Sequence, residues 1–568
     1  MLQPTAAYLL PASEPLFQIG WDIRFGRPWS WYIPDMEYAD AVVIGAGHNG
    51  LVAANLLADA GWDVIVLEAT AQPGGAVHST NSLLPGYVTD LCAAFFPLGA
   101  GSPVLRALRL EEHGLRWRHA PAVLAHLFPD DRAAVLSRDL ERTAASLEEF
   151  APGDGERWAR AYHQWQELGP HLLDALFSGF PPVRATSRLA LRLGAAGTLR
   201  FARQLLLPVR RLGRELFNGE GARILLSGSA MHTDLSPDAL GSGVFGWLLA
   251  MLGQQVGFPA VEGGAQGLTN ALIARLQRRG GAVICDALVE RILIARGRAM
   301  GVATKDGHLW RARRAVIADV PAPVLYRDLV GPNRLPTQLI ADLEHFQWDN
   351  AILKVDWALS SQVPWVNPLV SEAGTVHLGV DEAGLARAAT DLANGEVPRQ
   401  PFVIVGQMST TDPTRSPAGT ETLWTYTHLP RDLGSDPATV ESTVARLEEL
   451  LERHAPGFRE IVVDRAVFSP ADMAHANPSL IDGTINGGTA ALYQQLIFRP
   501  VPGLGRADTP IDRLYLASSS AHPGGGAHGG PGANAARAAL ARAHPILGGA
   551  YGATIRTAHR LLYPDRDR

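Results

Sequence analysis

At 568 residues the chain is too long for a single compact core, so two domains are expected. An apolar fraction of 47% with 19% charged residues is that of an ordinary globular protein. A net charge of −6 argues against nucleic acid as a partner, and no apolar run reaches the roughly 18 residues that a spanning helix needs.

Residues 1–39 form an arm rich in aromatics and prolines: Phe17, Trp21, Phe25, Trp29, Trp31 and Tyr32, with Pro11, Pro15, Pro28 and Pro34. The prolines argue against a long helix. So many exposed indoles predict packing onto the body of the protein or onto a partner, as a cover, a lid or an oligomer contact. The first basic residue is Arg24, so the charged start of a secretory signal is missing. Cys92 and Cys285 have neither disulfide-framework nor metal-ligand spacing, which predicts a reducing, cytoplasmic setting and no metal site.

The apolar run Ala41-Val42-Val43-Ile44 reads as a buried parallel strand. Gly45-x-Gly47-x-x-Gly50 follows at once, then an Ala/Leu-rich helix to Gly61 and a second strand, Val64–Leu67, ending at Glu68. In that context the glycines predict a dinucleotide site. Gly45 makes the turn, Gly47 admits a pyrophosphate, and Gly50 lets helix and strand close up. The helix N-terminus, with Asn49 in its first turn, offers amides and a positive dipole end to the phosphates, and Glu68 stands where an acid accepts from ribose hydroxyls. Gly74-Gly75, just after Glu68, resembles the second glycine motif of FAD-dependent oxidoreductases of the glutathione-reductase type.

From Ser137 to Phe258 the pattern is mainly helical. Arg184 to Arg214 carries eight arginines and no acid between them, which reads either as a membrane-surface segment or as a solvated helical face. Residues 261–329 return to the nucleotide domain through Gly263-Gly264-x-x-Gly267, a helix, several strands and a hairpin turn at Asp306-Gly307. Strand-like runs dominate 346–499, interrupted by a helix over Ala438–Arg453. Leu514–Ser518 is a further strand. It leads into Ser519-Ser520-Ala521-His522-Pro523-Gly524-Gly525-Gly526-Ala527-His528-Gly529-Gly530-Pro531-Gly532 and a last Ala-rich helix. So dense a glycine loop lets backbone lie against a large planar or charged ligand.

Three separated blocks, Gly45–Gly75, Glu262–Ala318 and Leu514–Leu540, resemble the flavoproteins related to phytoene desaturase and the flavin amine oxidases. Within that superfamily, five features resemble the branch called pyridine nucleotide-disulfide oxidoreductase domain-containing protein 2. These are Gly74-Gly75-Ala76, Lys354–Leu359, Asn486-Gly487-Gly488, Phe498-Arg499-Pro500 and the Pro523–Gly529 run. The resemblance covers residues 40–545 and leaves the arm outside it. It implies one noncovalent FAD, with Val289 against the adenine side and Ser518 and Ser519 at the pyrophosphate or ribitol. Gly526 and the stretch from Gly530 through Gly532 to Asn534 would face the flavin, the helix start stabilising charge at its N1/O2 edge. Lys354 resembles the lysine that flavin amine oxidases hold near flavin N5. Read from its residues alone, it is also a lysine paired with Asp356 and turned to solvent on an edge strand. His522 and His528 are expected over the flavin or as parts of the loop, and His232 as a structural histidine.

These features define an α/β fold. An FAD-binding Rossmann-like domain of the glutathione-reductase type is assembled from residues 40–120, 258–330 and 506–545. An α+β substrate domain has a mainly helical part over 121–257 and a mixed, sheet-rich part over 331–505, and 546–568 is a tail. The expected activity is FAD-dependent oxidation of a lipophilic or partly apolar small molecule, with oxygen or a quinone as acceptor. The alternatives are a redox-neutral FAD-dependent isomerase and a flavin-holding scaffold. With no CxxC pair, disulfide reduction is excluded. Peripheral membrane contact through 184–214 and a homo-oligomer are the expected associations.

Overall fold

The computed structural model describes residues 36–564. The expected aromatic arm therefore lies outside the described residues, apart from Met36–Ala39. These four extend the first strand, β1 (Met36–Ile44), ahead of its apolar run by pairing with Leu309–Ala312. Helix α1 (His48–Asp59) and β2 (Val64–Leu67) follow. The chain then crosses to a second sheet for β3 (Ala122–Leu127) and β4 (Ala133–Leu136). A helical layer comes next, in which the longest helices are α2 (Asp154–Leu176), α3 (Val183–Leu206), α4 (Glu220–Met231) and α5 (Ser242–Val256). It returns through α6 (Gln266–Gln277), β5 (Ala282–Ile284), β6 (Val289–Ala295), β7 (Arg298–Thr304) and β8 (Leu309–Ala318).

The second sheet is completed by β9 (Ala351–Leu359), β10 (Ala373–Leu378), β11 (Val403–Gln407), β12 (Glu421–Leu429), helix α7 (Pro437–His454) and β13 (Val462–Phe468). Strand β14 (Leu514–Leu516) and helix α8 (Gly530–Ala543) close the nucleotide domain. The stretch expected as a tail carries a further helix, α9 (Gly548–Leu562).

The first sheet runs β6–β7–β8–β1–β2–β5, with β14 beside the C-terminal half of β8. Its core strands are parallel, and Ala41, Val42 and Val43 are inaccessible to solvent, as expected where helices cover both faces. The second sheet runs β13–β9–β12–β11–β10–β3–β4. Strands β3 and β4 belong to it although they lie in the stretch expected to be mainly helical. Period-2 alternation assigns its faces. Leu353, Val355, Trp357, Val405 and Leu423 pack with Val444, Leu447 and Leu451 of α7. The opposite face looks toward the nucleotide domain and the helical layer.

A buried ion cluster ties the two sheets. Arg415, wholly buried, lies 3.0 Å from Asp90 and 3.3 Å from Asp412. Those carboxylates accept in turn from the amides of Ala265 and Gly263, both at 2.7 Å. The Gly263-Gly264-x-x-Gly267 motif is thus a joint between domains: a Cβ at Gly264 would run into the Ser79 side chain and one at Gly267 into Val261, while Gly263 needs its left-handed φ of 72° rather than the space.

Candidate cofactor cleft and substrate face

The carboxyl ends of β1, β2, β8 and β14 meet at one cleft with about 1230 Å³ of empty space, part of it open to solvent. This is where ligands bind in an open parallel sheet. Gly45, Gly47, Asn49, Glu68, Gly75, Val289, Ser518 and Ser519 all line it. A Cβ at Gly50 would run into the carbonyl of Gly45, which is why that position tolerates no side chain. Helix α1 starts at the cleft with no side-chain cap and no acid in its first turn. Among the described residues the amides of His48 and Asn49 have no protein acceptor, so they are free for an external anion.

Two carboxylates shape this mouth. Glu68 braces the glycine turn, accepting from the amide of Ala46 at 2.8 Å and from the amide and hydroxyl of Thr70 at 2.9 and 2.8 Å. Asp319, one residue past β8, accepts from the amide of Gly50 at 2.7 Å. Burial pushes its carboxyl up to about 7, with the Gly50 amide opposing and the charge of Glu68 adding. The cleft's far wall is drawn together by Arg499. Its guanidinium donates to the carbonyls of Ser519, Thr489, Asn486, Gly487 and Gly488. Asp349 fastens the same loop, accepting from the amides of Ile485, Asn486 and Gly488 at 2.8, 2.7 and 3.0 Å.

At one wall of the cleft, Leu480 joins a buried apolar cluster with Leu91, Met473 and Ile352 of β9, and Ala76, Ile485, Cys92, Tyr426 and Phe468 pack against that cluster. That contact brings the cleft to the inward face of the second sheet. Strand register lays Lys354, Tyr426, Ile404, His377 and His126 in one row across β9, β12, β11, β10 and β3. Lys354 is buried in an ion pair with Asp356, its ammonium 5.3 Å over the Phe468 ring. The strand is interior, between β13 and β12, so the lysine does not face solvent. Burial raises Asp356, with Lys354 opposing, and pushes Cys92 up to about 12, again against Lys354. His428 Nε2 meets Asp234 at 2.5 Å. Burial works against the imidazolium, but Asp234 and Asp349 outweigh it and raise the histidine above its ordinary value. Farther along, His232 and His377 share a proton at 2.8 Å, and burial holds both neutral. Phe95, Trp424 and Tyr426 give the face an aromatic lining, with ring centroids 5.9 and 5.8 Å apart in sequence.

The family model for flavin-containing amine oxidoreductases matches residues 50–539. The chain belongs to this family. It is 28% identical over 548 residues to pyridine nucleotide-disulfide oxidoreductase domain-containing protein 2 of Mus musculus, covering 88% of this chain and 93% of that protein. It is also 28% identical over 521 residues to hydroxyneurosporene desaturase of Cereibacter sphaeroides, covering 85% and 94%. Among solved structures, an oxidoreductase from Methanosarcina mazei shares the fold with a TM-score of 0.58 at 18% identity, covering 88% of this chain and 99% of that one. The protein is an FAD-dependent oxidoreductase of this family.

The cleft fits that cofactor on its own chemistry. The side-chain oxygen of Asn49 is enclosed there without a partner, the uncapped start of α1 offers amides for a pyrophosphate, and the glycines leave backbone exposed to it. Other expected contacts stand one layer back. Gly74 donates to the carbonyl of Ala46 at 3.0 Å, holding the two glycine turns together. A Cβ at Gly532 would drive into the carbonyl of Asn49, so Gly532 serves the contact between α8 and α1. The carbonyl of Gly526 bonds His48 Nε2 at 3.1 Å. Asn534 donates to the carbonyl of His522 at 3.3 Å.

The two loop histidines are placed differently from a base over the cofactor. His528 Nδ1 accepts from the amide of Gly530 at 3.0 Å, so Nε2 carries the proton and donates to the carbonyl of Gly525 at 3.1 Å. Both nitrogens brace the loop. His522 faces a separate small cavity beside Phe180, Arg506 and Arg537, and burial lowers it to about 4. Sequence reasoning missed Asp319, Asp349, Asp234, Tyr426 and His428. For Arg499 it quoted the motif without its purpose. Of these, only Asp319 had a readable signal, as an acid just past a buried parallel strand.

Proposed function

We propose that the protein removes hydrogen from a lipophilic or partly apolar small molecule held against the inward face of the second sheet. FAD, when bound, supplies the two-electron oxidant, accepting hydride at N5. The ADP end is assigned to Glu68, Val289 and the start of α1, and the pyrophosphate or ribityl chain to Ser518 and Ser519. The start of α8 supports the opposite end. The observation that carries the reading is the apolar cluster that Leu480, a lining residue of the cleft, forms with Ile352 of β9, with Cys92 and Tyr426 packed against it.

On that face the Asp234 carboxylate, 2.5 Å from His428 Nε2, favours a proton on that nitrogen by its charge, and Nδ1 is assigned as the acceptor for the proton that departs with the hydride. Lys354 and Asp356 form a neutral pair that sets the local field without adding net charge. Phe95, Trp424 and Tyr426 hold the apolar body of the substrate and exclude water. Oxygen or a quinone takes the electrons.

Anaerobic mixing with a panel of apolar amines, alcohols and polyenes tests this. Bleaching of the flavin's visible band by one chemical class is the expected result. Turnover only after prior reduction would replace the reading with redox-neutral isomerisation, and no response from any class would leave a flavin-holding scaffold.

A further inference from the structure

Helix α3 is long, and only Ala185, Leu189 and Phe201 of it are buried. These three pin it to the body. Its outer side carries Val183, Leu191, Leu199 and Leu206, which are 61%, 84%, 73% and 54% exposed. The stripe continues onto Leu240, itself 65% exposed, because the amide of Gly241 donates to the carbonyl of Leu206 at 3.1 Å. Single exposed apolar side chains need no explanation, but four leucines and a valine together do. The helix breaks at Gly194, where φ is 64°, so Leu191 and Leu199 project from either side of a bend.

Charge decides what covers this row. The helix holds five arginines, Arg184, Arg188, Arg192, Arg200 and Arg203, and no acid. Arg188, Arg192 and Arg203 meet Asp174, Glu167 and Glu215 at 3.7, 3.4 and 2.8 Å in exposed pairs, which hold their partners weakly. Arg184 and Arg200 have no carboxylate partner among the described residues. Residues 1–35 offer only Glu14, Asp22 and Asp35 against Arg24 and Arg27, a poor match for five cations. A second copy would set arginine against arginine.

We propose that α3, with Leu240, is a docking face for an anionic lipid bilayer. Leu191, Leu199 and Leu206 enter the interface and the arginines meet lipid phosphates. The helix follows the Phe177–Pro182 turn, which packs on the flavin-side loop through Phe177 against His528, ring centroids 5.0 Å apart. Docking would therefore seat the cofactor domain's edge at the membrane. This surface stands independently of the reaction proposed above, since neither its leucines nor its arginines reach the cleft.

The test is flotation of the FAD-loaded full chain with phosphatidylcholine vesicles, with and without about 30% phosphatidylglycerol, at low and high salt. The expected result is binding to the anionic vesicles alone, weakened by salt. It should fall more than about tenfold in Leu191→Glu/Leu199→Glu, and by about fivefold for each of Arg184→Gln and Arg200→Gln. An unchanged flavin spectrum reports that each variant is folded. Wild-type protein that never floats overturns the proposal. So does flotation undiminished in the leucine variant, or equal on neutral vesicles. A leucine variant that instead changes the oligomeric state, with neither form floating, assigns the face to a copy of the chain.

Discussion

The nucleotide end and the proposed substrate face are built by different means. At the nucleotide end the cleft is built from backbone: uncapped amides of α1, glycine turns, and carbonyls drawn in by Arg499. Backbone approach forbids side chains, and that prohibition is written into the sequence as glycine spacing. On the proposed substrate face, side chains make the surface. Lys354, Tyr426, His377 and His126 become neighbours only through the register of strands far apart in the chain. The first kind of site announces itself locally; the second exists only once the sheet has formed.

The sharpest way to break that contrast is at Gly532. Its replacement by valine pushes a side chain into the backbone of Asn49, which cannot yield without moving α1. Gly532→Val should give protein with no bound flavin, read from the visible band relative to protein absorbance. Tyr426→Phe, on the other face, should keep the full band. Flavin retained in Gly532→Val would mean that the contact between α1 and α8 does not set the cleft.

The opposite signature is expected at the substrate face. In His428→Phe and Lys354→Met the flavin should stay bound. Loss of a positioned proton acceptor at His428 should slow flavin reduction by about 10²–10⁴-fold, measured by stopped-flow absorbance once a reducing substrate is found. In the wild type that rate should fall as pH drops, because the raised His428 must be unprotonated to accept a proton. Asp234→Asn should move this limb to lower pH. Lys354→Met separates the lysine's two readings: a change in reduction or reoxidation places it at the reaction, and unchanged half-reactions leave it as the partner of Asp356.

The joint between the regions ranks next. Arg415→Met leaves Asp90 and Asp412 facing each other in a buried space, which should cost about 3–5 kcal/mol of stability, seen as a fall in Tm. A shift near zero would show that the cluster is solvated in solution.

The same division explains what could be read in advance. The strand–glycine–helix–strand–acid unit at Ala41–Glu68 specifies both a local structure and its ligand, because each glycine answers a steric demand within the same short segment. Helix α7 and the hairpin at Asp306-Gly307 were legible for the same local reason. Strands β3 and β4 were not, since their partners lie across the second sheet, and nothing around Ala122–Leu136 names β10 as a neighbour. His428 and Asp234 pair across almost two hundred positions, and no spacing rule covers that distance. The glycine loop at Gly524–Gly532 was legible as a close approach, but not what approaches: part of its compactness serves His528 and α1 rather than the cofactor directly.

Asp319 lies on the boundary, a side chain placed in the backbone-built site, and its effect should be the smallest and most diagnostic. Its carboxyl sits on the Gly50 amide at the mouth of α1, where a pyrophosphate would bring further negative charge. The titratable groups around it are Glu68, whose charge adds to the raised value, and His48, which burial lowers to about 4 and keeps neutral; His78 also lines the cleft. Because the native carboxyl is shifted from 3.8 to about 7, the folded protein binds a proton that the unfolded chain has released. That contribution to stability is complete below pH ~4 and is lost as pH rises through ~7. An arriving pyrophosphate disfavours the carboxylate still more, so FAD uptake should carry a proton with it. Affinity, followed by quenching of FAD fluorescence, should therefore weaken above neutral pH by up to about tenfold per unit. Asp319→Asn, neutral at every pH, should flatten that slope while still binding FAD. A wild-type affinity independent of pH, or a slope surviving in the asparagine variant, would mean that the carboxylate leaves the mouth of α1 when the cofactor enters.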